Sequence, residues 1–154
     1  LGRVSMSEEN TMRFIAYLLA AFLALPAAAQ DIQAFANALN AQRQANGLPA
    51  LSYNPRLSAA AQAHADDMVR NGFISHTGSD GTQPADRARR AGYCWRNLAE
   101  NIAWQVPGEA NVVTQWMGSA GHRRNILDRR VQDFGVARSG DNYWVLVLGR
   151  GRNC

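Results

Sequence analysis

Two histidines and a glutamate sit in short polar motifs that are far apart in the chain: Ser75-His76, Glu100-Asn101-Ile102, and Gly121-His122-Arg123-Arg124-Asn125-Ile126-Leu127. Imidazole nitrogens and a carboxylate are the ligand types of a divalent metal such as Zn²⁺, and equally the acid and base types of proton-transfer chemistry. If folding brings them together, His76 and His122 supply nitrogen ligands, and Glu100 adds an oxygen ligand or holds a metal-bound water. Such a site keeps open coordination positions, but a hydrolase also needs a base that is not itself a ligand, and Ser119 cannot act as one at neutral pH. Ser119, His122 and Glu100 also contain the residue types of a serine hydrolase. However, Met117-Gly118-Ser119-Ala120-Gly121 lacks the first glycine of the nucleophile elbow, and no strand precedes it. There is no H-E-x-x-H, phosphate loop or dinucleotide fingerprint. The residues alone leave a plainer reading open, in which His76 and His122 are separate structural hydrogen-bonders. His64 shares a helical face with Leu57, Ala61 and Met68, which marks it as a core histidine, with Asp67 one turn away to orient it.

The elements that must position these groups follow from periodicity and punctuation. A first helix is expected from an N-cap at Asp31 to Gly47, with Ile32, Phe35, Ala36, Leu39 and Arg43 at helical spacing. Asn54-Pro55 caps a second helix that runs to about Asn71 and ends at Gly72. Phe73 to His76 leaves extended, Gly78-Ser79-Asp80-Gly81 is a turn-rich loop, and Pro84 to Ala91 forms a short helix. Leu98 to Trp104 reads as a strand and Glu109 to Met117 as a helix, where Glu109 favours the helix N-terminus. The chain ends in a hairpin, Phe134–Ala137 and Tyr143–Leu148, around Ser139-Gly140-Asp141-Asn142. Its second strand is continuously apolar, so both faces are expected to be buried. Helices first and an antiparallel sheet last favour an α+β fold with helical layers on both sides of the sheet.

Length and composition set the remaining bounds. Within the 154 residues, Met12-Arg13 precedes an apolar run, Phe14 to Leu25, then Pro26 and Ala27-Ala28-Ala29. That pattern is a secretory signal, too short for the about 20 apolar residues that span a bilayer. Residues 1–29 are therefore expected to be an upstream extension plus signal peptide with a start at Met12, and residues 30–154 a single domain without a transmembrane segment. The net charge of +4 is carried by arginine, with no lysine and no basic stripe interleaved with aromatics, which argues against a nucleic-acid partner. A mild positive charge suits an anionic envelope surface. Export would place Cys94 and Cys154 in an oxidising compartment, where a disulfide is the default and two free thiols the alternative. Trp95 or Trp104, near Glu100 in sequence, could line a ligand cleft.

Taken together, Ala63-His64-Ala65-Asp66-Asp67-Met68, Phe73-x-Ser75-His76, Arg87 with Ala91-Gly92-Tyr93, Glu100-Asn101-Ile102-Ala103, Trp116-Met117-x-Ser119-x-Gly121-His122-Arg123-x-Asn125-Ile126-Leu127, and Gly135-Val136 resemble the CAP superfamily, the SCP/PR-1-like cysteine-rich secretory proteins, and most of all its compact bacterial branch. The resemblance implies a three-layer α-β-α sandwich with a central antiparallel sheet. It also implies a cleft with two histidines, at His76 and His122, and two acids, of which the first falls at Glu100 and the second at Ser119, a departure from the pattern. Ala99 replaces the glycine usual before the glutamate. What the resemblance implies for function is a secreted or periplasmic, monomeric binding or interaction module that takes a lipid or sterol-like ligand, an envelope component, or a divalent metal at His76 and His122 with Glu100, no cofactor being required. A metal-dependent hydrolase, peptidase or esterase, using His76, Glu100, Ser119 and His122 is the alternative.

Overall fold

The computed structural model describes residues 27–153, with side chains from Asp31 onward. Most of the expected leader and Cys154 lie outside the described residues. Five helices and four strands are present among them: α1 Ala27–Ala45, β1 Ser52–Tyr53, α2 Pro55–Asn71, α3 Pro84–Arg90, β2 Trp95–Ala103, α4 Glu109–Gly118, α5 Ala120–Ile126, β3 Asp133–Ser139 and β4 Tyr143–Gly151. The strands form one sheet in the order β1-β3-β4-β2. β3 and β4 are an antiparallel hairpin, β4 pairs antiparallel with β2, and the two-residue β1 joins β3 in parallel. The sheet is thus antiparallel in its body, with one parallel edge that the sequence pattern does not signal.

Alternation along the strands divides the interior in two. Phe134, Val136, Trp144, Leu146 and Leu148 pack with Phe35 and Leu39 of α1, Val112, Val113 and Trp116 of α4, and Ile126 of α5. Ala137, Val145 and Val147 pack on the opposite face with Leu57, Ala61, Ala65 and Met68 of α2 and Ala88 of α3. Successive strand residues point to opposite faces, so the apolar run of β4 serves both layers, as expected. The α+β class and the α-β-α arrangement follow from these two cores.

Local chemistry explains most of the boundaries. Asn54 Oδ1 accepts from the backbone N–H of Arg56 at 3.0 Å and of Leu57 at 3.4 Å, Pro55 opens α2, and Gly72 closes it at φ 64°. Gly135 lets α2 lie directly on β3, because a Cβ there would collide with the backbone of Leu57 and Ser58. The hairpin loop contracts to Gly140-Asp141-Asn142, since Ser139 pairs with Tyr143. Asp31 is not an N-cap: it lies inside α1, which starts at Ala27. Ser119 ends α4 and caps α5, a helix absent from the periodicity reading.

Candidate functional site

Glu100 is the hub. It lies on β2, an edge strand, and shares the parity of Leu98 and Ile102, which pack on the α2–α3 face. Its side chain is 2% exposed, a costly place for a carboxylate unless both oxygens are paired. Both are. Oε1 accepts from His76 Nδ1 at 2.8 Å, and Oε2 accepts from Arg87 Nη2 at 2.8 Å. Arg87 also donates to the backbone oxygens of His76 at 3.0 Å and Thr82 at 2.8 Å.

His64 completes this layer. It is fully buried on α2, as its helical face predicts, and donates from Nε2 to Ser75 O at 2.7 Å, while the same nitrogen lies 4.0 Å from Glu100 Oε1. Burial pushes its pKa below the usual imidazole value, partly opposed by the Glu100 charge. Asp67 does not orient it, contrary to the sequence expectation. The Asp67 carboxylate is taken by Ser79, from its N–H at 2.8 Å and its hydroxyl at 2.6 Å, and by Asn71 at 2.7 Å. This ties the loop after His76 to α2. The segment that presents His76 is therefore held at Ser75 O by His64, at His76 O by Arg87, and at Ser79 by Asp67. The imidazole itself is 49% exposed.

The second histidine comes from the other helical layer. Asn101 shares the parity of Ala99 and Ala103, on the α1–α4–α5 face of β2. Its Nδ2 donates to His122 O at 3.1 Å, and its Oδ1 accepts from Asn125 Nδ2 at 2.9 Å. Trp116 lies beside the His122 ring with centroids 6.5 Å apart. Burial, and after it the neighbouring His76, depress the pKa of His122. His76 thus stands on the α2–α3 side of β2 and His122 on the α5 side, tied to the neighbouring strand residues Glu100 and Asn101. Ser119 caps α5 through its backbone, and its side chain makes no capping hydrogen bond.

Arg87 is named in the sequence only as a motif residue, and its contact with Glu100 is not foreseen there. An arginine in the last turn of a short helix reads as solvated, and only its place between Thr82 O, His76 O and Glu100 shows otherwise. Among the described residues, no group of three or more His, Cys, Asp or Glu side chains is arranged to hold a metal ion. A recess of about 560 Å³ adjoins the network from the far side, lined by His64 and Arg87 with Asp66, Asp67, Arg70 and Asp80, without His76 or His122. Trp95 borders a separate arginine-lined recess, and Trp104 is 48% exposed. No cysteine is free among the described residues.

A model of the cysteine-rich secretory protein family, CAP, matches residues 36–148. YkwD of Bacillus subtilis (strain 168), described as uncharacterized, is 35% identical over 113 residues, which cover 72% of this chain and 44% of YkwD. The chain thus spans less than half of that relative. Among solved structures, an extracellular protein containing an SCP domain from Bacillus anthracis str. Ames superposes with a TM-score of 0.73 at 27% identity, over 77% of this chain and 39% of that one. An outer surface protein from Borrelia burgdorferi gives a TM-score of 0.73 at 22% identity, over 80% of this chain and 94% of that one, a likeness of fold.

Proposed function

Since the chain belongs to the cysteine-rich secretory protein family, we propose that it is an exported binding module whose ligand is met by the paired imidazoles of His76 and His122. Export accords with the extracellular and surface relatives, and no helix among the described residues is long and apolar enough to cross a membrane.

The observation that carries this reading is the double engagement of Glu100. Its contact with His76 keeps the proton on Nδ1 and leaves the Nε2 lone pair free, the arrangement in which a carboxylate orients a ligating histidine. His122, with its depressed pKa, is neutral near neutral pH and also carries a free lone pair. The donor set is therefore two imidazoles, with Glu100 supporting one of them rather than ligating. It fits a weakly held divalent cation at His76 and His122, which would supply Lewis acidity toward an oxygen of a bound ligand. A lipid or sterol-like ligand is the organic class that the family suggests, and Ile74, 41% exposed, places apolar surface two residues before His76. A hydrolase would need a free general base. Glu100 could serve only by leaving Arg87, and Ser119 is a helix cap.

Calorimetric titration of chelator-treated protein with ZnCl₂ tests the proposal. Binding is expected to be lost in His76→Ala and His122→Ala, and to weaken about ten- to a hundredfold in Glu100→Gln, which loses the orienting carboxylate. Zinc affinity indifferent to all three substitutions, or zinc-dependent turnover of peptide or ester substrates, would reject it.

A further inference from the structure

At the opposite end of β2 from Ala103, three arginines from separate stretches surround one recess. Its volume is about 440 Å³, and its lining is Arg89, Arg96 and Arg152 with Tyr93, Cys94 and Trp95. Arg89 comes from the last turn of α3, Arg96 from the start of β2, and Arg152 from just beyond β4. All three are exposed.

The backbone is shaped to gather them. The register of β2 against β4 slips between Trp95 and Asn97, so Arg96 sits at a bulge, the device by which a strand re-aims a side chain. Arg152 N donates to Cys94 O at 2.9 Å, which holds the segment after β4 along the recess. Tyr93, 4% exposed, is fixed by its hydroxyl donating to Asp133 Oδ2 at 2.7 Å, and Gly149 makes room for its ring, because a Cβ there would come within 2.8 Å of it. One oxygen of the Asp133 carboxylate is thereby taken by the tyrosine, and Asp133 forms no salt bridge with any of the three arginines.

Charge is left over at this place. Arg90, next to Arg89, is paired with Asp80 at 2.8 Å, and Arg130 with Asp128 at 2.8 Å. Arg89 has only a long contact of 3.5 Å with the half-exposed Asp86, which is worth little. Among the described residues, neither Arg96 nor Arg152 forms a salt bridge. Three guanidinium groups that repel one another around a common recess are relieved by an anion with enough acceptor oxygens for several planar forks. A phosphate offers three such oxygens and up to two charges.

We propose that this recess binds a phosphate-bearing anion, either a free phosphate ester or the headgroup of an anionic lipid. The site is independent of His76, Glu100 and His122, so it stands or falls apart from the cleft.

The test follows the Trp95 indole N–H resonance of the intact chain during titration with inorganic phosphate and with glycerol phosphate. Co-sedimentation with phosphatidylglycerol vesicles, against phosphatidylcholine vesicles, is the lipid arm. The expected result is a saturable shift that weakens at least about tenfold in Arg96→Gln/Arg152→Gln, the loss of one charge-assisted contact or more. The charge-matched control Arg70→Gln/Arg129→Gln should stay within about twofold of the wild type. Retention on phosphatidylglycerol alone identifies the lipid as the source, and a shift with the soluble phosphates alone identifies the free ester. Equal weakening in both double variants, or neither a saturable shift nor vesicle retention in a wild type that circular dichroism shows to be folded, overturns the site.

Discussion

His64 is fully buried, with its pKa depressed by that burial. The unfolded chain therefore takes up a proton at this side chain at a higher pH than the folded chain does. The stability it contributes is fully present above its ordinary value of 6.5 and drains away as the pH falls below it, and the depressed pKa of His122 acts in the same sense. The melting temperature of chelator-treated protein should fall from about pH 7.5 to about pH 5, and His64→Gln should flatten that slope. An unchanged slope would show that burial of His64 is not what penalises acid. Helical spacing alone predicts that this histidine faces inward. Its bond to Ser75 O and its approach to Glu100 are not legible, because those partners reach it through a loop and a strand whose placement no local pattern encodes. Glu100 and His76 are visible as candidates by residue type, whereas Arg87 acquires its role only from tertiary placement.

The elements around the site are fastened to one another by a few buried polar contacts. Arg43 of α1 is fully buried, donating to Pro49 O at 2.9 Å, to Ile126 O at 2.7 Å and to Asp128 O at 3.0 Å. It therefore ties α1 to the end of α5, the helix that carries His122. Arg43→Met would leave these carbonyls without their donor, at an expected cost of about 3 kcal/mol in urea unfolding, with faster amide exchange along α5 than along α2. A loss under about 1 kcal/mol would mean that α5 is held by its apolar contacts alone. Arg43 falls on the apolar stripe of its helix by spacing, so its burial is legible while its partners are not. The second helix, the short helix at Pro84 and the apolar final strand are all readable from caps and periodicity. α5 is not, since its Gly-His-Arg-Arg run has no apolar stripe and a single buried residue, Ile126. β1 is too short to carry a period.

For the molecule as a whole, the strongest long-range link expected from sequence is a Cys94–Cys154 disulfide. Cys94 precedes β2, and Cys154 lies outside the described residues. A closed loop of about 60 residues would contribute roughly 4 kcal/mol by restricting the unfolded chain. Cys94→Ser/Cys154→Ser should lower the urea midpoint accordingly, and a reductant should do the same to the wild type while leaving the double variant unchanged. Alkylation of both cysteines without prior reduction would rule the bridge out. The edge position of β2 bears on how molecules meet one another. A nine-residue outer strand normally offers unpaired carbonyls to a neighbouring copy, a route to aggregation. Here Asn125 Nδ2 reaches Glu100 O at 3.4 Å, and Asn101 turns its amide onto α5. The asparagine that fastens α5 to β2 thereby also occupies one carbonyl of the sheet's open border, so its loss would bare that group to a second copy of the chain.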